Sequence, residues 1–166
     1  STGAVTTLAG SGSSGSTDGT GTAAKFKYPL GVVNVGNYLY VADRQNHRIR
    51  KIVKSTGVVT TLAGSSSGFA DGTGTSAKFN QPWGISTDGT HLYLADSENH
   101  RIRKIVISTG AVTTLAGSGS SGSTDDTGTV ATFNSPYGIT VDGTNLYVAD
   151  LRNHKIRKID LSKIET

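Results

Sequence analysis

Three of the four histidines stand at one place in a recurring pattern: His47, His100 and His154 each follow an asparagine directly and an aspartate by four residues. Imidazole and carboxylate so close in sequence are the raw material of a metal site or a proton-transfer pair. One placement repeated in tandem units works against both, because it spreads the imidazoles apart, whereas a zinc-type ion needs donor atoms about 2 Å away. The same residues make a good turn. Aspartate accepts local backbone N–H groups, asparagine takes up the left-handed conformation, and histidine donates to a neighbouring carbonyl. Asp43, Asn46 and His47, Asp96, Asn99 and His100, and Asp150, Asn153 and His154 are therefore expected to be structural. No catalytic residue, metal or cofactor is assigned, and His91 is expected to be a solvated turn residue.

Other chemistries find little support. There is no Gly-x-Ser-x-Gly elbow, phosphate loop or paired-carboxylate site. The Asp-Gly-Thr-Gly stretches at 18–21 and 71–74 have a calcium-loop look, but the third copy reads Asp125-Asp126-Thr127-Gly128. They are expected to be turns placed ahead of Phe26, Phe79 and Phe133. Nine of the 16 Lys and Arg residues fall in one recurring segment: Arg48, Arg50, Lys51, Arg101, Arg103, Lys104, Lys155, Arg157 and Lys158. On an outer strand, their stems would cover apolar neighbours while their heads reach water and discourage edge pairing. The net charge of +4 raises nucleic acid as an alternative partner, with Arg48, Arg101 and Lys155 beside the turns as its contacts. Twelve acidic residues and few stacking aromatics weigh against it.

The elements that must position these residues follow from internal repetition. The Leu-Tyr-Val-Ala-Asp run ending at Asp43 returns at Asp96, with Leu94 for Val, and at Asp150; the spacings are 53 and 54. Residues 1–18 are identical to 108–125. The loop after Gly64 is one residue shorter than those after Gly10 and Gly117. The units run 1–54, 55–107 and 108–166. Each holds four strand-like runs: one after Pro-x-Gly, Leu-Tyr-Val-Ala-Asp, a basic run such as Arg48–Val53, and a run such as Val58–Leu62. Asp88-Gly89 and Asp142-Gly143 signal hairpins with two positive-φ residues, and the first copy, Val35-Gly36-Asn37, differs. Nothing has helical periodicity. The fold class is all-β, with four-stranded antiparallel blades in tandem.

The motifs Asn46-His47-Arg48-Ile49, Asn99-His100-Arg101-Ile102 and Asn153-His154-Lys155-Ile156, each after Leu-Tyr-(Val/Leu)-Ala-Asp and Pro-x-Gly, resemble NHL repeats. The resemblance covers nearly the whole chain. It implies a β-propeller, typically six-bladed, that binds or scaffolds rather than catalyses; some relatives bind RNA, and some are metal-dependent lyases or lactonases.

Three blades do not close a ring. The runs begin with a spare fourth strand at residues 1–9, centred on Ala4–Leu8, and end on a third strand. The expectation is a single propeller-type domain over 1–166 whose spare strand completes the last blade of a second copy. Two copies then give a six-bladed homodimer, and three a nine-bladed trimer. Leu30, Trp83 and Tyr137, at x of Pro-x-Gly, are candidate contacts for a peptide, glycan or small ligand at the channel mouth, or else blade-to-blade packing. No membrane partner is expected, and the cysteine-free sequence leaves the compartment open. The absent initiator methionine suggests an excised or engineered stretch, whose parent protein would be secreted or on the cell surface.

Overall fold

The computed structural model describes residues 3–163. Thirteen strands form three antiparallel sheets. The first holds β2 (Pro29–Val35), β3 (Tyr38–Asp43), β4 (Arg48–Val53) and β5 (Val58–Ala63), with a two-residue strand β1 (Gly19–Thr20) added beyond β5. The second repeats this with β7 (Pro82–Thr87), β8 (His91–Asp96), β9 (Arg101–Val106), β10 (Ala111–Ala116) and an outer β6 (Gly72–Thr73). The third stops after three strands: β11 (Pro136–Val141), β12 (Asn145–Asp150) and β13 (Lys155–Asp160). The described residues contain no helix long and apolar enough to cross a membrane.

The sheets stack face to face because their middle strands are apolar on both sides. Leu92 and Leu94 face the first sheet, packing with Tyr40, Ala42 and Ile49; Tyr93 and Ala95 face the third, packing with Leu146 and Val148. Phe79 and Phe133, from the long linkers, plug the seams between sheets at 0% and 2% exposure. The first strands β2, β7 and β11 lie side by side, so the sheets converge at that edge.

Close packing there needs glycine. A Cβ on Gly84 would lie 2.2 Å from the Tyr137 carbonyl oxygen, and one on Gly31 would lie 2.7 Å from that of Trp83. On Gly138, with no fourth sheet beside it, a Cβ meets only the Ala149 methyl at 3.7 Å.

Four local expectations change. The first strands begin at the proline rather than after it, with an irregularity between Pro29 and Val32. The Asp-Gly hairpins carry positive φ only at Gly89 and Gly143, because the Asp88 carboxylate accepts the N–H groups of Thr90 and His91 and shapes the turn itself. The linker, expected to hold turns alone, contributes β1 and β6. Ala4–Leu8 is not a strand in the single chain: it pairs with none of the described strands, and Val5 is 95% exposed.

Candidate functional site

Each recurring Asp-x-x-Asn-His segment is one turn of 3-10 helix between the second and third strands of its sheet. The left-handed residue closing it is the histidine, at φ 55°, 53° and 54°, and not the asparagine as the sequence suggested. The aspartate is fully buried in all three copies. In the second, Asp96 Oδ1 accepts the Asn80 N–H at 2.7 Å, and Oδ2 accepts from Asn99 Nδ2 at 2.8 Å and Arg103 Nη1 at 2.7 Å. Burial pushes the Asp96 carboxyl up, against the pull of Arg103 and these donors.

That arginine overturns one expectation. Arg50, Arg103 and Arg157 do not extend to water: their exposures are 0%, 0% and 7%. Arg103 also donates to the carbonyls of Lys78 and Ala70 and to Asp71, the aspartate of the Asp-Gly-Thr-Gly stretch, at 2.7 Å. Arg50 holds Asp18, and Arg157 holds Asp125, in the same way. Phe26, Phe79 and Phe133 lie beneath the three guanidinium groups, with their ring centroids 4.9 to 5.2 Å from Cζ. The Asn side chain completes the clamp by donating to a linker carbonyl, that of Gly15, Gly68 or Gly122. A long Gly/Ser/Thr linker is thereby fixed by one buried cation between two carboxylates. Loss of one member of such a group leaves the others unpaired away from water, a costly state.

The histidine works across sheets. His47 Nδ1 accepts the Gln81 N–H at 3.1 Å, and His100 Nδ1 accepts the Ser135 N–H at 3.1 Å. Each imidazole is thus an acceptor from the next sheet rather than a donor within its own, which requires the neutral ring with its proton on Nε2. Burial, with Lys27 nearby, lowers the pKa of His47 and favours that form. The residues receiving this contact, Gln81 and Ser135, have φ 52° and 51° and precede Pro82 and Pro136.

Around the convergent edge, Trp83 and Tyr137 stack on each other across the second and third sheets, with centroids 4.0 Å apart, and Arg44 lies 4.1 Å over Trp83. Leu30 and Tyr137 remain 44% and 38% exposed. The basic residues beside the turns are tied down: Arg48 donates to the carbonyls of Ser16 and Ser65, Arg101 to that of Ser118 while lying 3.7 Å over Phe69, and Lys155 to that of Ser123. His91 pairs with Asp88 in the hairpin, where Tyr93 Oη also donates to Asp88. Burial pushes the Asp88 carboxyl up, but the His91 ring and N–H and the Thr90 N–H and hydroxyl hold it well below the usual range. Among the described residues, no three His, Asp or Glu side chains gather as a metal-ligand set.

Stacked, converging antiparallel sheets joined by linkers that return from the outer edge to the inner one, the third without its outer strand, define three blades of a β-propeller. The comparisons agree. The NHL repeat family model matches residues 79–105. Human NHL repeat-containing protein 2 is 38% identical over 136 residues, covering 74% of this chain and 19% of that protein. An auxiliary nutrient binding protein of Bacteroides thetaiotaomicron is 28% identical with a TM-score of 0.65, over 74% of this chain and 34% of that one. Virginiamycin B lyase of Staphylococcus aureus, 19% identical with a TM-score of 0.56 over 83% of this chain and 40% of that one, shares the fold. The chain spans about a fifth of the length of the curated relative it matches. It is an NHL-repeat protein, and the motif that the family model finds once recurs in all three blades.

Proposed function

We propose that this chain is a non-catalytic binding module that works as a homo-oligomer, in which two copies close a six-bladed ring by exchanging the strand at residues 4–9. The carrying observation is the unfinished third sheet. Ile156 is 75% exposed where its equivalents Ile49 and Ile102 are 0% exposed, because those two lie against Ala63 and Ala116 of a fourth strand. Beside it runs a groove of about 960 Å³, lined by Ala116, Asp125, Phe133, Ile156, Arg157 and Ile159 among others. Residues 4–8 repeat the sequence of 111–115, the strand that fills this place in the second blade. In the same register, Ala9 of a second copy covers Ile156, Thr7 reaches Arg157 and Asp125, and Val5 lies against Ile159.

The ligand face is the one carrying the Asn-His turns, with Leu30, Trp83 and Tyr137 around the channel mouth and a peptide, glycan or small molecule as ligand. The likeness to a protein named for nutrient binding supports this reading. A non-catalytic role is supported by the positions of the candidate acid–base groups: Asp96, Asn99 and His100, with the corresponding hydrogen-bonded groups of the first blade, hold backbone in place. No observation favours nucleic acid over this.

Light scattering tests it. The intact chain is expected at twice its 17.1 kDa, and a chain without residues 1–9 at a single mass. A monomeric intact chain at high micromolar concentration removes the proposal.

A further inference from the structure

We infer a second junction in the assembly, separate from the exchanged strand and close to the convergent edge, in which the Asn-His turn of the third blade latches onto the segment ahead of Pro29 in a second copy. The inference rests on the homo-oligomeric reading above.

Three contacts at the two boundaries inside the chain show what such a junction needs. The first is an imidazole Nδ1 that accepts the N–H of the positive-φ residue before the next proline, as His47 does from Gln81 and His100 from Ser135. At the chain's own two faces these groups occur without their counterparts. Among the described residues, His154 Nδ1 has no donor and the N–H of Tyr28, at φ 51°, has no acceptor. One is the missing half of the other.

The second contact comes from the residue after the buried aspartate. Arg44 donates to the side-chain oxygen of Gln81, and Ser97 Oγ to the Pro136 carbonyl. The equivalent in the third blade is Leu151, 52% exposed, and the residue equivalent to Gln81 in the first blade is Tyr28, 62% exposed. Both internal boundaries are polar at this point, whereas the two outward faces are apolar and of matching bulk. An apolar pair left in water on both faces is hidden only when those faces meet.

The third is shape. Gly31 and Gly84 receive the carbonyls of Trp83 and Tyr137 so closely that a Cβ would fall 2.7 and 2.2 Å from those oxygens. Gly138 is the same residue of the same motif, and its outward side is open in this chain. The carbonyl equivalent to those of Trp83 and Tyr137 in the first blade is that of Leu30. The latch therefore consists of His154 against the Tyr28 N–H, Leu151 against the Tyr28 ring, and Gly138 against the Leu30 carbonyl of the second copy.

The test is sedimentation of the full chain with Gly138→Ala, with Leu151→Arg, and with Leu151→Arg combined with Tyr28→Gln. Gly138→Ala leaves the circular dichroism of the dilute chain unchanged but raises the dissociation constant by roughly tenfold or more per seam. Leu151→Arg also weakens association. Adding Tyr28→Gln rebuilds across the seam the Arg–Gln pair that Arg44 and Gln81 make within the chain, and recovers at least part of the loss. A wild-type dimer with all three variants at its own dissociation constant overturns the latch and leaves strand exchange standing. A wild type that never associates overturns both. Should Gly138→Ala misfold, the Leu151 and Tyr28 pair decides alone, and failure of the double variant to recover counts against the latch.

Discussion

The second and third blades share the order of their first three strands and most of their sequence but have different surroundings, and that difference separates what a blade makes for itself from what its neighbours give it. The clamp belongs to the blade: Arg157 reaches both Asp150 and Asp125 at 2.8 and 2.7 Å, as Arg103 reaches Asp96 and Asp71. Its completion belongs to the neighbourhood. Asp71 also accepts the Thr114 N–H and hydroxyl from β10, and its side chain is 45% exposed; Asp125 has no such strand beside it and is 86% exposed. The local turn and ion pair thus form without a fourth strand, while the cover over the apolar third strand does not.

The largest expected effect compares Ile102 with Ile156. Ile102→Ala should lower unfolding free energy by about 2–5 kcal/mol, the cost of emptying a packed site. Ile156→Ala should cost less than about 0.5 kcal/mol in the dissociated chain, as an exposed change does. Denaturant titrations at low and high protein concentration sharpen the contrast, since association would bury Ile156 and bring its cost toward that of Ile102. Equal costs in the dilute chain would break it.

Next comes the outer carboxylate. Asp71→Ala removes three accepted hydrogen bonds in a half-exposed place and should cost about 1–2 kcal/mol. Asp125→Ala removes an ion pair from a largely hydrated group and should cost about 0.5 kcal/mol. The same titrations measure both.

The smallest effect is one of pH. His47 has its pKa lowered in the fold by burial and by Lys27. The unfolded chain therefore takes up the proton more readily, so the stabilisation is complete above the unfolded value of about 6.5 and is lost as pH falls through the folded value. Amide exchange at Gln81, corrected for intrinsic rate, should accelerate between pH 7 and pH 5, and His47→Phe should abolish that dependence. An unchanged Gln81 profile would contradict the role of the neutral ring.

The sheet order was legible because the 53- and 54-residue periods carry every strand run with them. The turn after each of these aspartates was legible from Asp-x-x-Asn-His, and the full burial of their carboxylates was not. Arg50, Arg103 and Arg157 were misjudged, since an arginine alternating with isoleucine reads as a solvated outer strand. A signal did exist: those three positions are always arginine, while the neighbouring position reads Arg48, Arg101 and Lys155. A site that never takes lysine is one that uses the planar, forked guanidinium. The histidine's acceptor role was not legible, because its partner lies 34 or 35 residues away in another sheet. Nor were β1 and β6, two-residue strands with no alternation to reveal them.

The shorter linker of the second repeat has a practical meaning. Gly10, Gly64 and Gly117 each donate an N–H to the carbonyl of Gly21, Gly74 or Gly128, and Gly15, Gly68 and Gly122 each donate to a phenylalanine carbonyl. Between those two pinned points lie four residues in the first and third repeats and three in the second, with both ends held alike. Length is free to vary there while the rest of the architecture stays in place. A foreign peptide spliced between Gly10 and Gly15 would be displayed from a rigid base, which makes this stretch the natural grafting point of the repeat.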